Sequence, residues 1–125
     1  MPTPTLKESA VDFLTRIVAG DIRGAYERHV AEGARHHNPY YAGDCDSLRK
    51  GMEEDEASHP GKQLDVQVAL QDGDHVAVHS RLRRPGGERE IAVVHLFRFE
   101  HGKIAELWDI AQVAPERIVN RNGMF

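Results

Sequence analysis

The residues best suited to chemistry are eight histidines and a carboxylate that lies in a mostly apolar segment of the chain. That carboxylate is Asp109, which follows Trp108 in the segment 103–113. A carboxylate that faces an apolar pocket loses hydration and holds a proton more readily, so it can accept a proton from a carbon acid near neutral pH. The structural alternative is that Asp109 lies at a sheet edge or accepts backbone hydrogen bonds. The first interpretation predicts that Asp109 is a general base.

His95 can assist Asp109 only if the two side chains share a face of the sheet. This depends on the hairpin between their strands, because a one-residue slip moves every side chain to the opposite face. A three-residue loop at 100–102 places both side chains on one face, whereas a two-residue loop of His101 and Gly102 turns Asp109 away. We expect the longer loop, because histidine is a poor residue for the positive φ angle that the shorter turn requires.

Two further histidines complete the candidate catalytic set. His79 lies on the neighbouring predicted strand, and His37 begins a segment that we expect at the mouth of the pocket. Each can donate to a substrate oxygen or relay a proton from it. A histidine on a strand is more often a satisfied structural group than a catalyst, so both roles stay open. The predicted catalytic residues are Asp109, His95, His79 and His37.

Large apolar side chains supply walls for a ring-sized ligand. Phe13 and Leu14 fit the role of plain core better. Tyr40 and Tyr41 flank the turn after Pro39 and are expected at the pocket mouth or at a dimer contact. The predicted ligand-binding residues are Tyr26, Tyr40, Met52, Phe97 and Trp108.

A metal site is a further hypothesis, because two or three imidazoles and one carboxylate can hold zinc or ferrous iron. The candidate ligands are His37, His79, His95 and Asp109. Their spacing matches no short chelating pair on a strand or a helix. The leading interpretation therefore includes no metal and no other cofactor.

The first half of the chain is predicted to form three helices, at residues 5–20, at 21–33, and from residue 44 or 46 to about residue 58. Thr5 and Glu8 have the spacing of a capping box, and apolar residues recur at helical spacing after them. Asp21 is suited to cap the second helix. Residues 34–43 are expected to be extended, because Pro39 disfavours helical geometry in the residue before it.

The second half of the chain is predicted to form four strands, at 63–70, 75–82, 91–99 and 103–113. In the first strand, four apolar residues alternate with other residues and are expected on one half-buried face: Leu64, Val66, Val68 and Leu70. Turns are expected at Asp72-Gly73, at 85–87 and after Phe99. Helices that precede strands in sequence indicate an α+β fold, with the helices on one face of an antiparallel sheet.

Several short segments occur in a specific order along the chain: His37-Asn38-Pro39, Gly73-Asp74, Val78-His79-Ser80, Phe97-Arg98, Gly102-Lys103-Ile104, Trp108-Asp109 and 120–125. Their order and spacing resemble the SnoaL-like family of the cone-shaped nuclear-transport-factor-2-like fold. The resemblance covers nearly the whole chain. It implies three N-terminal helices packed on a curved four-stranded antiparallel sheet, a pocket for a small molecule, and polyketide-cyclase or aldol-condensation-type chemistry. His95 stands where the family pattern has an acid, and Leu107 where it has a histidine before the tryptophan.

Composition excludes some classes of function. Sixteen basic and twenty acidic residues give a formal charge of −4 without a concentrated basic face, so we expect no nucleic-acid partner. No apolar run approaches the ~18 residues of a membrane span, and no signal-peptide pattern is present, so we expect no membrane partner and a cytoplasmic protein with one domain, 1–125. Cys45 is the only cysteine, and the flanking Asp44 and Asp46 raise its pKa, so its predicted role is structural.

Three functions remain open on the sequence. The leading hypothesis is a cofactor-free acid/base enzyme that removes a proton next to the carbonyl of a small apolar or cyclic substrate. The second is a non-catalytic module that binds a small molecule or a partner, and the third is the His/Asp metal site. We also expect a homodimer, because the strand 91–99 is apolar on both faces. Met124 and Phe125 are expected to cover the pocket or the dimer seam.

Overall fold

The computed structural model describes residues 3–86 and 89–125, so Gly87 of the predicted turn lies outside the described residues. The predicted α+β class is confirmed, with one strand more than expected. The elements are α1 (Leu6–Val18), α2 (Ile22–His29), β1 (Val30–His36), α3 (Cys45–Ser58), β2 (Gln63–Asp72), β3 (His75–Arg83), β4 (Ile91–Glu100) and β5 (Lys103–Val113). Within the described residues, none of these helices has the length and apolar content of a membrane-spanning segment.

Each helix begins at a capping side chain. The predicted capping box is present at α1, where Thr5 accepts from the Glu8 N–H and the Glu8 side chain accepts from the Thr5 N–H. Asp21 caps α2 and Asp44 caps α3 through their side-chain oxygens. These caps satisfy backbone N–H groups that have no partner inside the helix, so they fix where each helix starts.

The prediction that the second helix continues to about Gly33 is wrong. Helix α2 ends at His29, and Val30–His36 forms the fifth strand, β1, which runs parallel to β5. The pairing supplies partners for backbone groups of β5 that a helix would leave exposed at the edge of the sheet. Val30 is in step with the apolar face of α2, so helical periodicity alone does not reveal this change of structure.

The sheet has the strand order β1-β5-β4-β3-β2, in which the last four strands form an antiparallel meander. Its inner face packs against the helices, and Val76, Val78 and Phe97 are fully buried there. The ring of Phe13 on α1 meets Phe97 edge-on at 5.9 Å between centroids. Edge-to-face contacts of this kind add to the burial of apolar area that holds the two layers together.

The hairpin between β4 and β5 differs from the expected one. The loop has two residues, with His101 at φ 51° and Gly102 at φ 76°, so the predicted three-residue loop is wrong. A register shift between Arg98 and Phe99 then adds one residue to β5. As a result His95 lies directly opposite Asp109, and both side chains point to the inner face. The prediction that they share a face is confirmed for a different physical reason.

A second bulge changes the predicted pattern of β2. The register shifts between Val66 and Val68, so Val68 pairs with His79 and Leu70 pairs with Ala77. Val68 and Leu70 therefore lie on the outer face, where they are 46% and 64% exposed, and the prediction of one apolar face along the strand is wrong. The extra residue reverses the alternation of side chains after the bulge.

Candidate active site

A cavity of about 200 Å³ lies between α1, α3 and the inner face of the sheet. Most of its wall is apolar, from residues of α1, α3 and the sheet: Phe13, Leu14, Leu48, Met52, Leu64 and Leu82. The polar side chains that reach it form two groups. One group surrounds Asp109 on β5, and the other surrounds Arg84 just after β3. A mostly apolar cavity with a few convergent polar groups is the usual form of a small-molecule site.

Asp109 is fixed by an amide from outside the sheet. The Nδ2 of Asn38 donates to Oδ2 of Asp109 at 3.0 Å, and the Asp109 side chain is 22% exposed. The other carboxylate oxygen, Oδ1, faces His95. The hydrogen bond holds the carboxylate in one orientation and leaves Oδ1 with lone pairs for a second donor.

His95 stands beside Asp109 without a direct hydrogen bond to it. Its Nε2 is 3.8 Å from Oδ1 of Asp109, which exceeds hydrogen-bond length. Its Nδ1 is buried and has no hydrogen-bond partner among residues 3–86 and 89–125. Burial lowers the pKa of His95, and the neighbouring Asp109 carboxylate opposes that effect only in part. The imidazole is therefore neutral near pH 7 and carries a single N–H.

Asn38 is held by a local network that sets the direction of its amide. The Oδ1 of Asn38 accepts from the Tyr40 N–H at 3.0 Å, which leaves Nδ2 to face Asp109. The Asn38 N–H in turn donates to Nδ1 of the buried His36 at 3.0 Å. Because Nδ1 accepts, the hydrogen of the neutral ring is on Nε2, and this atom contacts the carbonyl oxygen of Ala42. These hydrogen bonds hold the segment 36–42, and with it the Asn38 amide that positions Asp109.

Tyr41 closes one side of the cavity against α3. Gly51 lines the cavity, and a Cβ at this position would lie 2.2 Å from Cε1 of the Tyr41 ring. Only glycine allows the ring to approach the helix this closely. Gly51 is unfavourable inside a helix, so its place in α3 is explained by this contact.

A charged group lies at the β2–β3 end of the cavity. Lys62 contacts Asp55 directly and lies 3.7 Å from Oε2 of Glu56. Arg84 is 3.8 Å from Asp55 through Nη1. Burial raises the pKa of Asp55, but Lys62, Arg84 and His59 outweigh it, so the pKa of Asp55 is lowered and the group is ionised at neutral pH.

Three of the predicted site residues lie on the outer face, so their predicted place at the pocket is wrong. His37 stacks on Trp108 with ring centroids 4.9 Å apart, and its Nε2 contacts Glu106 at 2.6 Å. His79 stacks on Phe125 at 6.0 Å. Strand alternation puts Trp108 and His79 opposite to the inner face, and His37 follows Glu106 to the outer side.

Glu106 is the centre of a polar cluster on this outer face. It is 8% exposed and accepts from Arg98 at 3.1 Å and from Arg35 at 3.3 Å. The hydrogen bond from His37 and then Arg98 lower the pKa of Glu106 to about 2, with burial acting in the opposite direction. The cluster fastens β1 and β4 to β5 and does not touch the cavity.

The predicted ligand-binding residues separate in the same way. Met52 lines the cavity. Phe97 is fully buried and Tyr40 is 86% exposed, and neither lines the cavity. Tyr26 is buried and donates from its hydroxyl to Sδ of Met52 at 3.3 Å, outside the cavity. The prediction of Phe97, Tyr40 and Trp108 as wall residues is therefore wrong, whereas Tyr26 lines a separate pocket beside Cys45 and Arg49. Tyr41, which was expected at the pocket mouth or at a dimer contact, lines the cavity.

The metal hypothesis built on four residues is also wrong. His95 and Asp109 lie on the inner face, while His37 and His79 lie on the outer face, so the sheet separates the proposed ligands. Across the described ranges, no group of three histidine, cysteine or acidic side chains is placed to hold a metal ion. Burial and the neighbouring carboxylates of Asp44 and Asp46 raise the pKa of Cys45 to about 11, so the thiol is protonated at neutral pH.

Comparison with known proteins agrees with this architecture. A model of the SnoaL-like domain matches residues 10–107. The putative polyketide cyclase IdmH from Streptomyces antibioticus is similar in structure, with a TM-score of 0.74 and 19% identity over 86% of this chain and 92% of that chain. A SnoaL-like polyketide cyclase from Agrobacterium tumefaciens has a TM-score of 0.73 and 13% identity over 88% and 93% of the two chains.

An NTF2-like protein of unknown function from Cytophaga hutchinsonii has a TM-score of 0.71 and 18% identity over 90% of this chain and 95% of that chain. No curated protein is significantly similar in sequence. At these identities the solved structures show the shared fold alone. The match of the domain model to most of the sequence shows the family: the chain belongs to the SnoaL-like family.

Proposed function

We propose that this SnoaL-like protein removes a proton next to the carbonyl of a small apolar or cyclic substrate, without a cofactor, in an aldol-type cyclisation or an isomerisation. One observation carries the proposal. Asp109 and His95 are directly opposite each other on the inner face and both line the same largely apolar cavity. A proton acceptor and a neutral hydrogen-bond donor that converge on one cavity are the groups that enolisation requires.

Asp109 is the proposed base. Its Oδ2 is occupied by Asn38, which leaves Oδ1 to take the proton from carbon. The Asn38 amide also keeps the carboxylate from rotating, so the acceptor atom stays in one place during the reaction. Holding the acceptor in position lowers the entropic part of the barrier.

His95 is the proposed donor to the developing oxyanion. Because burial keeps the ring neutral, it offers a hydrogen bond rather than a full positive charge beside Asp109. A positively charged ring at 3.8 Å would instead form an ion pair with the carboxylate and weaken it as a base. A donor aimed at the oxygen where charge develops typically contributes about a hundredfold or more to the rate.

The cavity limits the size of the substrate. Its volume of about 200 Å³ is below the ~300–1,000 Å³ that is usual for ligand pockets. A substrate with a single ring is therefore preferred over a fused polycycle. Apolar walls from Leu14, Leu64 and Leu82 favour a hydrocarbon body.

The test uses phenylacetone, a neutral ketone with one ring and an acidic methylene group. Loss of its methylene proton signal in D₂O is followed by NMR with the wild-type protein and with Asp109→Asn. We expect the protein to accelerate exchange, and Asp109→Asn to lower that rate by roughly a hundredfold or more. Asp72→Asn, at the exposed end of β2, is the matched control and should exchange at the wild-type rate. Equal rates in Asp109→Asn and wild type would reject Asp109 as the base.

A binding module without catalysis is the second candidate. The observation that favours it is the hydrogen bond from Asn38, because a carboxylate held by an amide can serve as a structural acceptor. This candidate predicts saturable binding of phenylacetone with an exchange rate equal to that of buffer. The same NMR samples therefore distinguish the two candidates.

A further inference from the structure

We propose that Arg84 is a binding site for the carboxylate of the substrate, so that the preferred ligands are small apolar carboxylic acids. The inference rests on the proposed function for the location of the reacting carbon, and adds the chemical class of the substrate. It concerns the end of the cavity away from Asp109, where Arg84 and Lys62 both line the wall.

The two cations at this end differ in how far they are already paired. Lys62 contacts Asp55 and lies near Glu56, and its side chain is 11% exposed. Arg84 has one acidic neighbour among the described residues, Asp55 at 3.8 Å, and this distance is too long for a hydrogen bond. Asp55 is therefore held by Lys62, and no acidic side chain among the described residues lies within hydrogen-bond distance of the Arg84 guanidinium.

Arg84 is also partly shielded from water. Its side chain is 30% exposed, and its Nε is buried without a hydrogen-bond partner among residues 3–86 and 89–125. A guanidinium has five N–H donors in a planar fork that matches the two oxygens of a carboxylate. Bidentate pairs of this kind are among the strongest hydrogen bonds in proteins, and partial burial reduces their screening by water.

The position of Arg84 sets the shape of the ligand. Val78 pairs with His95, and Leu82 lies four residues farther along β3, a distance of roughly 13 Å along the strand. Leu82 and Leu64 form the wall beside Arg84. A ligand that reaches both ends therefore has a carboxylate at the arginine, an apolar middle against the leucines and an enolisable carbon near Asp109.

The experiment compares phenylacetate with phenylacetamide, which has the same shape without the charge. Dissociation constants are measured by isothermal titration calorimetry at pH 7 for the wild-type protein. We expect phenylacetate to bind at least about tenfold more tightly, as a charge-assisted bidentate contact predicts. Equal affinities, or no saturable binding of phenylacetate, overturn the proposal.

Two variants locate the effect. Arg84→Met keeps the apolar stem and should abolish the preference for the acid, and Arg84→Gln serves the same purpose if the methionine variant does not fold. Arg83→Met is the matched control, because Arg83 points to the other face and contacts Asp65 and Glu90. A preference for the acid that survives in both Arg84 variants contradicts the proposal.

Asp109→Asn separates this inference from the proposed function. It should keep the preference for phenylacetate, because the carboxylate binds at the opposite end of the cavity. In the wild-type protein, a preference for phenylacetate together with no catalysed exchange of phenylacetone rejects only the proposed function. Catalysed exchange with equal affinities for acid and amide rejects only the carboxylate site.

Discussion

Replacing Gly51 with alanine tests the contact that closes the cavity. The added Cβ would lie 2.2 Å from Cε1 of Tyr41, far inside contact distance, so the ring has to leave its place against α3. Tyr41 is 41% exposed and lies in the segment between β1 and α3, so the ring can swing outward without unfolding the helix. The substitution therefore opens the cavity while the fold persists.

Two opposing terms determine how Gly51→Ala changes the free energy of unfolding. Alanine in place of glycine inside a helix stabilises by roughly 0.5–1 kcal/mol. Because Tyr41 is 41% exposed, roughly 100 Å² of its surface is covered, and the contact contributes about 2 kcal/mol at ~25 cal/mol/Å² after allowance for a compact unfolded state. Gly51→Ala should therefore destabilise the wild-type protein by about 1 kcal/mol.

A double-mutant cycle with Tyr41→Ala isolates the contact. In the Tyr41→Ala background only the helix term remains, so Gly51→Ala should stabilise by roughly 0.5–1 kcal/mol, and the coupling free energy is about 2 kcal/mol. Urea unfolding of the four proteins measures these differences. Destabilisation of the same size in both backgrounds would show that the ring of Tyr41 is not the obstacle, and would refute this reasoning.

Three further predictions concern the outer face. The pKa of Glu106 is lowered to about 2 in the folded protein, against the ordinary 4.5. The ionised carboxylate therefore contributes stability that is complete above about pH 4.5 and is lost as the pH falls towards 2. In Glu106→Gln, the free energy of unfolding measured with urea should depend less steeply on pH over this window. Light scattering at micromolar concentration should give a dimer with twice the 14.0 kDa chain mass. Ile110 is 61% exposed on the outer face, so Ile110→Glu should give monomers. A monomeric wild-type protein contradicts this prediction. Phe125 stacks on His79 and on Arg81, at 4.5 Å from the guanidinium carbon, so Phe125→Ala should lower the melting temperature without changing affinity for phenylacetone, and an unchanged melting temperature argues against docking of the terminus.

Local patterns predicted most of the fold. The capping box at Thr5, the apolar face of α1 and the alternation in β3 each follow from interactions within a few residues, and the structure confirms them. The strand β1 was missed because its partner, β5, lies about 70 residues later, and helical periodicity continues through Val30. Pairing between distant segments leaves no signal in a local pattern.

Register explains the errors in the candidate site. Asp109 and His95 were predicted to share a face, but the bulge between Arg98 and Phe99, rather than the loop, brings them together. Side chains alternate between the two faces along β3 and β5, which places His79 and Trp108 on the outer face. The alternation alone does not tell which face packs against the helices, so the sequence could not assign these two residues. Asn38 was missed as a partner of Asp109, although its place between His37 and Pro39 in the family segment was a signal that could have found it.

The most direct test of the central claim is to measure, in Asp109→Asn, both the exchange rate of bound phenylacetone and its dissociation constant. The structure places Asp109 at the cavity wall with its orientation fixed by Asn38, and asparagine keeps the shape of the side chain while it loses the ability to accept a proton. We predict that the exchange rate at saturation falls by roughly a hundredfold, whereas the dissociation constant changes by less than about threefold. Exchange that persists at the wild-type rate, or loss of binding in parallel with exchange, would contradict the assignment of Asp109 as the base.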